Sequence, residues 1–226
     1  MIFKEVLEQH RLKIILSTPI IFLLLFNSVG VIGSGNIFFF TPEKTIFPVV
    51  GENVRVALNI ATKLPINAVG GTVIFPPEFL SVDTFSREGS TIDLWAEEPI
   101  FSNENGTLHF SGGIIPKSEK GGDQGTVLVA SFRALKAGKA AISIKDGQLL
   151  AANGEGTNII SGSNILTLYI REQGKASPDV NDDGVLSITD MNALYFKTFR
   201  SYDAHYDLNG DGKVSWADVK MLIELM

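Results

Sequence analysis

The 226-residue sequence predicts a mainly β chain in which a β-sandwich is followed by a small α-helical module of two loop-helix repeats. Three observations predict this. Between Ile37 and Ile170, apolar residues alternate with polar or small ones in short runs. Clusters of turn residues break those runs repeatedly, and no long helical period appears. After Pro178, a twelve-residue pattern rich in Asp, Asn and Gly occurs twice, and each copy leads into an amphipathic stretch.

The chain opens on a different kind of segment. Lys4, Arg11 and Lys13 precede an apolar run from Ile14 to Phe26 that continues weakly to Ile32, and small residues follow at Ser28, Gly30, Gly33 and Ser34. A basic start, an apolar core and a small-residue exit describe a secretory signal peptide. Ile14 to Ile32 also approaches the roughly 20 residues needed to span a bilayer, so an uncleaved membrane anchor is the alternative. Either reading of residues 1–34 implies export, with the protein secreted or held at the extracellular face of the membrane.

The strand signals come next. Val54, Val56, Leu58 and Ile60 alternate with polar or small residues, a second stretch runs through Val127 and Val129 to Arg133, and a third has Ala140, Ile142 and Ile144. Turn residues at Pro76-Pro77, Glu88 to Ser90, Asn103 to Gly106, Gly121 to Asp123 and Asn153 to Gly156 separate them. Asn105-Gly106-Thr107 fits a glycosylation sequon, but the Asn-Gly pair also suits a tight hairpin, and the hairpin is the preferred reading. Residues 172–177 are polar, with Gly174 and Ser177, and read as a short linker.

The repeats carry the clearest chemistry. The first places Asp179, Asn181, Asp183, Ser187 and Asp190 at loop positions 1, 3, 5, 9 and 12, with Gly184 at 6. The second places Asp207, Asn209, Asp211, Ser215 and Asp218 there, with Gly212 at 6. This is the ligand spacing of an EF-hand calcium loop, so two Ca2+ ions are expected. Position 7 offers a backbone carbonyl, which leaves its identity free for Val185 and Lys213. Two departures stand out: position 12 is Asp rather than Glu, and no helix signal precedes either loop. The following stretches, Ile188, Met191, Leu194 and Tyr195, then Trp216, Val219, Leu222 and Ile223, are each spaced to fill one helix face.

Bulk composition narrows the function. The net charge of −6 argues against nucleic acid as a partner. Much of the acid lies in the repeats, where carboxylates repel unless a cation neutralises them. There is no Cys, which excludes disulfides, zinc-thiolate sites and thiol nucleophiles. Beyond the leader only His109 and His205 remain, and neither sits in a nucleophile motif. Asp93, Glu97 and Glu98 near Trp95 admit a sugar-stacking cleft, but a solvated turn beside a core Trp is the simpler reading. No enzyme activity is expected.

The segment from Pro178 to Met226 resembles a type I dockerin, the calcium-dependent docking module of cellulosome systems. The stretch from Pro65 to Phe75 with Phe79 to Val82, then Gly106 to Gly113, Gly125 to Ala134 with Ala137-Gly138, and Leu150 to Asn158, resembles a cohesin, the receptor module for dockerins. The cohesin resemblance implies a jelly-roll sandwich of about nine strands over residues 36–171. The dockerin resemblance implies that positions 10 and 11 of each loop, Ile188 and Thr189, then Trp216 and Ala217, meet a partner. Ile188 and Trp216 serve equally well as contact anchors or as core, because both fall on the apolar helix stripe. The two resemblances imply an exported adaptor whose partners are cohesin- or dockerin-bearing proteins, with head-to-tail self-association as an open assembly. The alternative is a carbohydrate-binding sandwich that holds polysaccharide while the dockerin recruits it to a complex.

Overall fold

The computed structural model describes residues 35–116 and 122–226, so the leader and its two readings lie outside the described residues. Among the described residues no helix is long and apolar enough to cross a membrane. Eleven strands are described: β1 (Ile37–Pro42), β2 (Asn53–Ala61), β3 (Ile66–Ile74), β4 (Leu80–Ser86), β5 (Leu94–Trp95), β6 (Ile100–Ser102), β7 (Thr107–Gly113), β8 (Gln124–Ala134), β9 (Gly138–Ala151), β10 (Gly162–Ser163) and β11 (Leu166–Ile170). They form one sheet in the order β10-β1-β2-β8-β4 and another in the order β11-β9-β3-β7-β5, with β6 also paired to β7. The pairing is antiparallel except between β1 and β10. The count exceeds the nine strands expected because β5 and β10 are two-residue pieces, too short to show an alternation.

The predicted alternation in β2 places Val54, Val56, Leu58 and Ile60 inward, and all four are buried. Successive strand side chains point to opposite faces, so one face of each sheet supplies the core. Between the sheets the aromatics meet edge to face, with Phe75 and Phe132 centred 5.3 Å apart and Phe38 and Phe110 6.1 Å apart. Each such side chain contributes about 1.5–3 kcal/mol by leaving water. Trp95 is only partly buried against this core, and the Arg87 guanidinium lies over its ring at 5.5 Å.

The expected hairpin forms between β6 and β7, but its loop has four residues, Asn103 to Gly106, between the paired Ser102 and Thr107. Asn103 widens it by bonding to β4: its side chain accepts from the Val82 N–H at 2.7 Å and donates to the Val82 carbonyl at 3.0 Å. Gly106 has φ +64° and accepts from the Phe75 N–H.

After β11, two ten-residue helices follow the loops, α1 (Ile188–Lys197) and α2 (Trp216–Leu225). A single 3-10 turn, Ala204–Tyr206, precedes the second loop. Val180, Leu194, Leu208, Val219 and Leu222 form a separate small core, and Leu186, Met191, Tyr206 and Val214 pack on it. The apolar stripes are therefore narrower than their spacing predicts. Met191, Leu194, Val219 and Leu222 face the core, whereas Ile188, Tyr195, Trp216 and Ile223 are exposed. Two short helices crossing once cover only the middle of each other's face, and first-turn residues overhang it.

The predicted linker is folded back on itself. The Arg171 guanidinium donates to the Lys175 carbonyl, and the Lys175 N–H donates to the Glu172 carbonyl. The Tyr169 hydroxyl, on β11, donates to the Leu225 carbonyl at 3.2 Å, at the end of α2.

Replacing Gly106 with Ala is expected to lower the melting temperature of the sandwich, at a cost above about 1 kcal/mol. The new Cβ would sit against the Phe75 carbonyl, which is backbone and cannot swing aside. Thermal unfolding with the C-terminal module intact checks this, and an unchanged transition would contradict it.

Candidate calcium and docking site

Each loop is wound around its first aspartate. In the first, Asp179 accepts from the N–H of Asp183 at 3.1 Å and of Gly184 at 2.8 Å. Asn181 accepts from the Asp183 N–H, and Asp183 accepts from the Val185 N–H. The second loop repeats these bonds through Asp207, Asn209, Asp211 and Lys213. Gly184 and Gly212 take positive φ at position 6, as the spacing requires. Position 4 is also left-handed, at Asp182 (φ +57°) and Gly210 (φ +74°), a second turn that the motif does not announce.

The last aspartate closes each loop onto its helix. Asp190 accepts from the N–H groups of Val180, Asn181 and Ser187, and Asp218 from those of Asn209 and Ser215. Ser187 and Ser215 are the helix N-caps, and with Asp190 and Asp218 they complete a capping box in each helix. Loop spacing assigns these serines and aspartates as ligands and misses this second role, although Ser-x-x-Asp before an apolar run is its signature.

Asp190 and Asp218 have no exposed surface, and Asp179 and Asp207 are nearly as buried. Carboxylate oxygens of Asp179, Asp183 and Asp190 all lie within 4.8 Å of one another. Among the described residues no salt bridge reaches these three. Buried like charges without a cation are costly, so the donor set fits a hard divalent ion such as Ca2+. When bound, the ion supplies charge neutralisation and a fixed coordination shell. The remaining predicted ligands, Asn181, Ser187, Asn209, Asp211 and Ser215 with the carbonyls of Val185 and Lys213, occupy the same two loops.

The two first aspartates differ. Burial pushes the Asp179 carboxyl above its ordinary value, and neighbouring Asp190 and Asp183 add to this against the N–H bonds from Gly184 and Asp183. Burial also pushes Asp207 up, but the N–H groups of Gly212, Gly210 and Asp211 and the Tyr202 hydroxyl outweigh it and hold the carboxyl below its ordinary value. Tyr202 donates to Asp207 at 3.1 Å, and that bond raises its own phenol.

Of the residues expected to meet a partner, Trp216 is 59% exposed and Ile188 39% exposed, while Thr189 and Ala217 are also on the surface. Tyr195 packs edge-on against Trp216 at 6.2 Å, Phe199 at 5.2 Å and Phe196 at 5.7 Å. The end of α1 therefore lies beside the start of α2. Phe196 and Phe199 are 63% and 72% exposed, and they belong to a patch that periodicity alone does not single out. His205 is structural: its Nε2 lies 3.0 Å from the Val180 carbonyl, tying the 3-10 turn to the first loop.

A mainly β sandwich joined to a paired loop-helix module defines the class. Residues 177–226 match the family model described as the Dockerin type I domain. No curated protein matches the chain. Among solved structures, the chain is similar to a type II cohesin dyad from the adaptor scaffoldin ScaA of Acetivibrio cellulolyticus, with 20% identity and a TM-score of 0.46. That match covers 63% of this chain and 50% of the dyad, so the chain spans half of that relative's length. It is also similar to the Coh-OlpC-Doc435 type I cohesin–dockerin complex from Clostridium thermocellum, with 9% identity, a TM-score of 0.48, and coverage of 62% of this chain and 96% of that one. A cohesin module of a family 33 glycoside hydrolase from Clostridium perfringens gives 10% identity, a TM-score of 0.47, and coverage of 61% and 99%.

Without calcium, Asp179 is expected to titrate above the ordinary 3.8 and Asp207 below it. The raised group favours the fold when protonated, a contribution lost as pH rises through its folded value. The lowered group favours the fold when ionised, a contribution lost as pH falls through its folded value. Carboxyl carbon NMR titration in chelator reads both, and shifts in the same direction would refute the difference.

Proposed function

We propose that this chain is an exported, non-catalytic adaptor that joins proteins by calcium-dependent cohesin–dockerin docking, in a polysaccharide-degrading or cell-surface setting. The observation that carries the reading is the exposed aromatic patch of Tyr195, Phe199 and Trp216, where the end of α1 meets the helix start that leads out of the second calcium-type loop. Exposed aromatics held by a rigid frame are typical anchors of an interface. The match of residues 177–226 to the dockerin family supports it independently. Two calcium ions would fix the helices, and Ile188, Thr189, Trp216 and Ala217 would meet the partner. The domain boundaries we assign are 36–171 for the sandwich, 172–177 for the linker and 178–226 for the docking module.

The sandwich is the candidate receptor side of the same adaptor. Its second sheet bears exposed Leu94 and Ile100 on β5 and β6, with exposed Ile115 just beyond β7. Beside them Thr72 and His109 lie 3.2 Å apart, and His109 and Glu97 3.3 Å apart. Head-to-tail self-association would place one copy's aromatic patch on another's sandwich. The polysaccharide reading has less support, because the ring of Trp95 is covered by Arg87 rather than open to a sugar.

Trp216→Ala and Tyr195→Ala are each expected to weaken binding to a cohesin module by about tenfold or more, with melting and calcium uptake unchanged. Surface plasmon resonance against immobilised cohesin modules, in calcium and then in chelator, measures this. Calcium-independent binding, or full binding by both variants, would sink the docking reading. Light scattering in the same buffers reports self-association, and a monomer in both removes that part alone.

A further inference from the structure

We propose that the two loops are unequal calcium sites: Asp179–Asp190 is the tighter, structural site, and Asp207–Asp218 is the weaker, calcium-responsive one, restrained by Tyr202 and Lys175. The inference rests on the calcium reading above and concerns how that binding is divided.

The first observation is an accounting of lone pairs. An ionised carboxylate offers about four acceptor sites. Asp179 receives two donors, one on each oxygen, from Asp183 and Gly184. Asp207 receives four. Its Oδ1 accepts from the N–H groups of Gly210 at 2.7 Å and Asp211 at 3.1 Å. Its Oδ2 accepts from the Gly212 N–H at 2.9 Å and the Tyr202 hydroxyl at 3.1 Å. An ion entering the first loop finds Asp179 with free acceptor capacity. An ion entering the second must loosen a bond that Asp207 already makes. One repeat earlier, the residue in register with Tyr202 is Gly174 of the linker, which has no side chain to donate.

The second observation is convergence. In the first loop the carboxylates of Asp179, Asp183 and Asp190 already share one small volume, whereas among the described residues Asp207, Asp211 and Asp218 form no such group. The first site is pre-organised and the second must close around its ion, which lowers affinity.

The third observation is a resident cation. The Lys175 ammonium lies over the second loop, 2.7 Å from where a Cβ on Gly210 would stand. It lines one cleft with Tyr202, Asp207, Gly210 and Gly212. A positive charge there, even on an exposed and mobile lysine, opposes an arriving divalent cation. Near the first loop, Arg171 interacts with Asp182, which is not at a ligand position.

The division has a functional consequence. The second loop runs directly into Trp216, so its filling sets the start of α2 and one side of the aromatic patch. Docking would then be graded by calcium above the level that folds the module.

Calorimetric titration of the full chain with calcium tests this. Two binding phases about tenfold or more apart are expected. Tyr202→Phe and Lys175→Gln should each tighten the weaker phase by about threefold or more and leave the tighter one unmoved. Both positions are on the surface, so these variants should fold. In a Trp95→Phe background, the fluorescence of Trp216 should follow the weaker phase. Two indistinguishable phases, or a weaker phase that neither variant moves, would overturn the inequality while leaving calcium binding intact. Absence of any calcium heat would overturn the calcium reading itself.

Discussion

Asp190 and Asp218 each do three things with one carboxylate, and the C-terminal module depends on that overlap. Each sits at the last position of its EF-hand-type loop, bonds back to the N–H groups at the loop's start, and completes the capping box of the helix that follows. A helix of ten residues is marginal in water by itself. Here its first turn is held by the same group that closes the loop, so loop and helix cannot order separately. Calcium bound in the loop would therefore act on the helix directly, by fixing the capping carboxylate. The short Asp at position 12, in place of Glu, is consistent with this arrangement. Its reach matches the N-cap N–H three residues back, at 2.9 Å from Ser187 to Asp190 and 2.8 Å from Ser215 to Asp218.

The same economy produces the exposed surface. Two short helices bury one narrow stripe each, Leu194 on α1 and Val219 with Leu222 on α2, packed with the loop residues Val180 and Leu208. Apolar residues beyond the crossing are left outside. The internal repeat makes Ile188 equivalent to Trp216 and Tyr195 equivalent to Ile223, so the place where the end of α1 meets the start of α2 is aromatic while the equivalent positions of the other repeat are aliphatic. Any partner reading the two ends meets different side chains, which favours one orientation over a symmetric pair.

How much of this is legible in the sequence follows from what each feature depends on. Ligand positions are set by side-chain type at fixed spacing, so both loops can be read from the chain alone. Long strands such as β2 and β8 announce themselves by alternation, but β5 and β10 have two residues each and no period. A helical period leaves Trp216 and Ile188 open between core and surface, because it names a face without saying how much of it a neighbour covers. The capping role of Ser187 and Ser215 is readable but hidden behind the ligand positions that the loop spacing assigns to them. The saturation of Asp207 is not readable: its fourth donor, Tyr202, lies outside the loop motif, and only the folded chain brings the hydroxyl to the carboxylate.

The folded linker gives the inequality of the loops a spatial sense. Arg171 holds the linker in a turn through the Lys175 carbonyl, and that turn places the Lys175 side chain over Gly210. Gly184, at the turn of the first loop, lies against the Lys44 carbonyl, where a side chain would not fit. The first loop thus lies against the sandwich, and the tighter of the two proposed sites would suit a structural joint. The second loop leads to the aromatic patch and carries the restraining Lys175, so it is the loop free to respond. A linker that stiffens the joint and tempers the outer site by a single charge would couple how the module is mounted to how readily it binds.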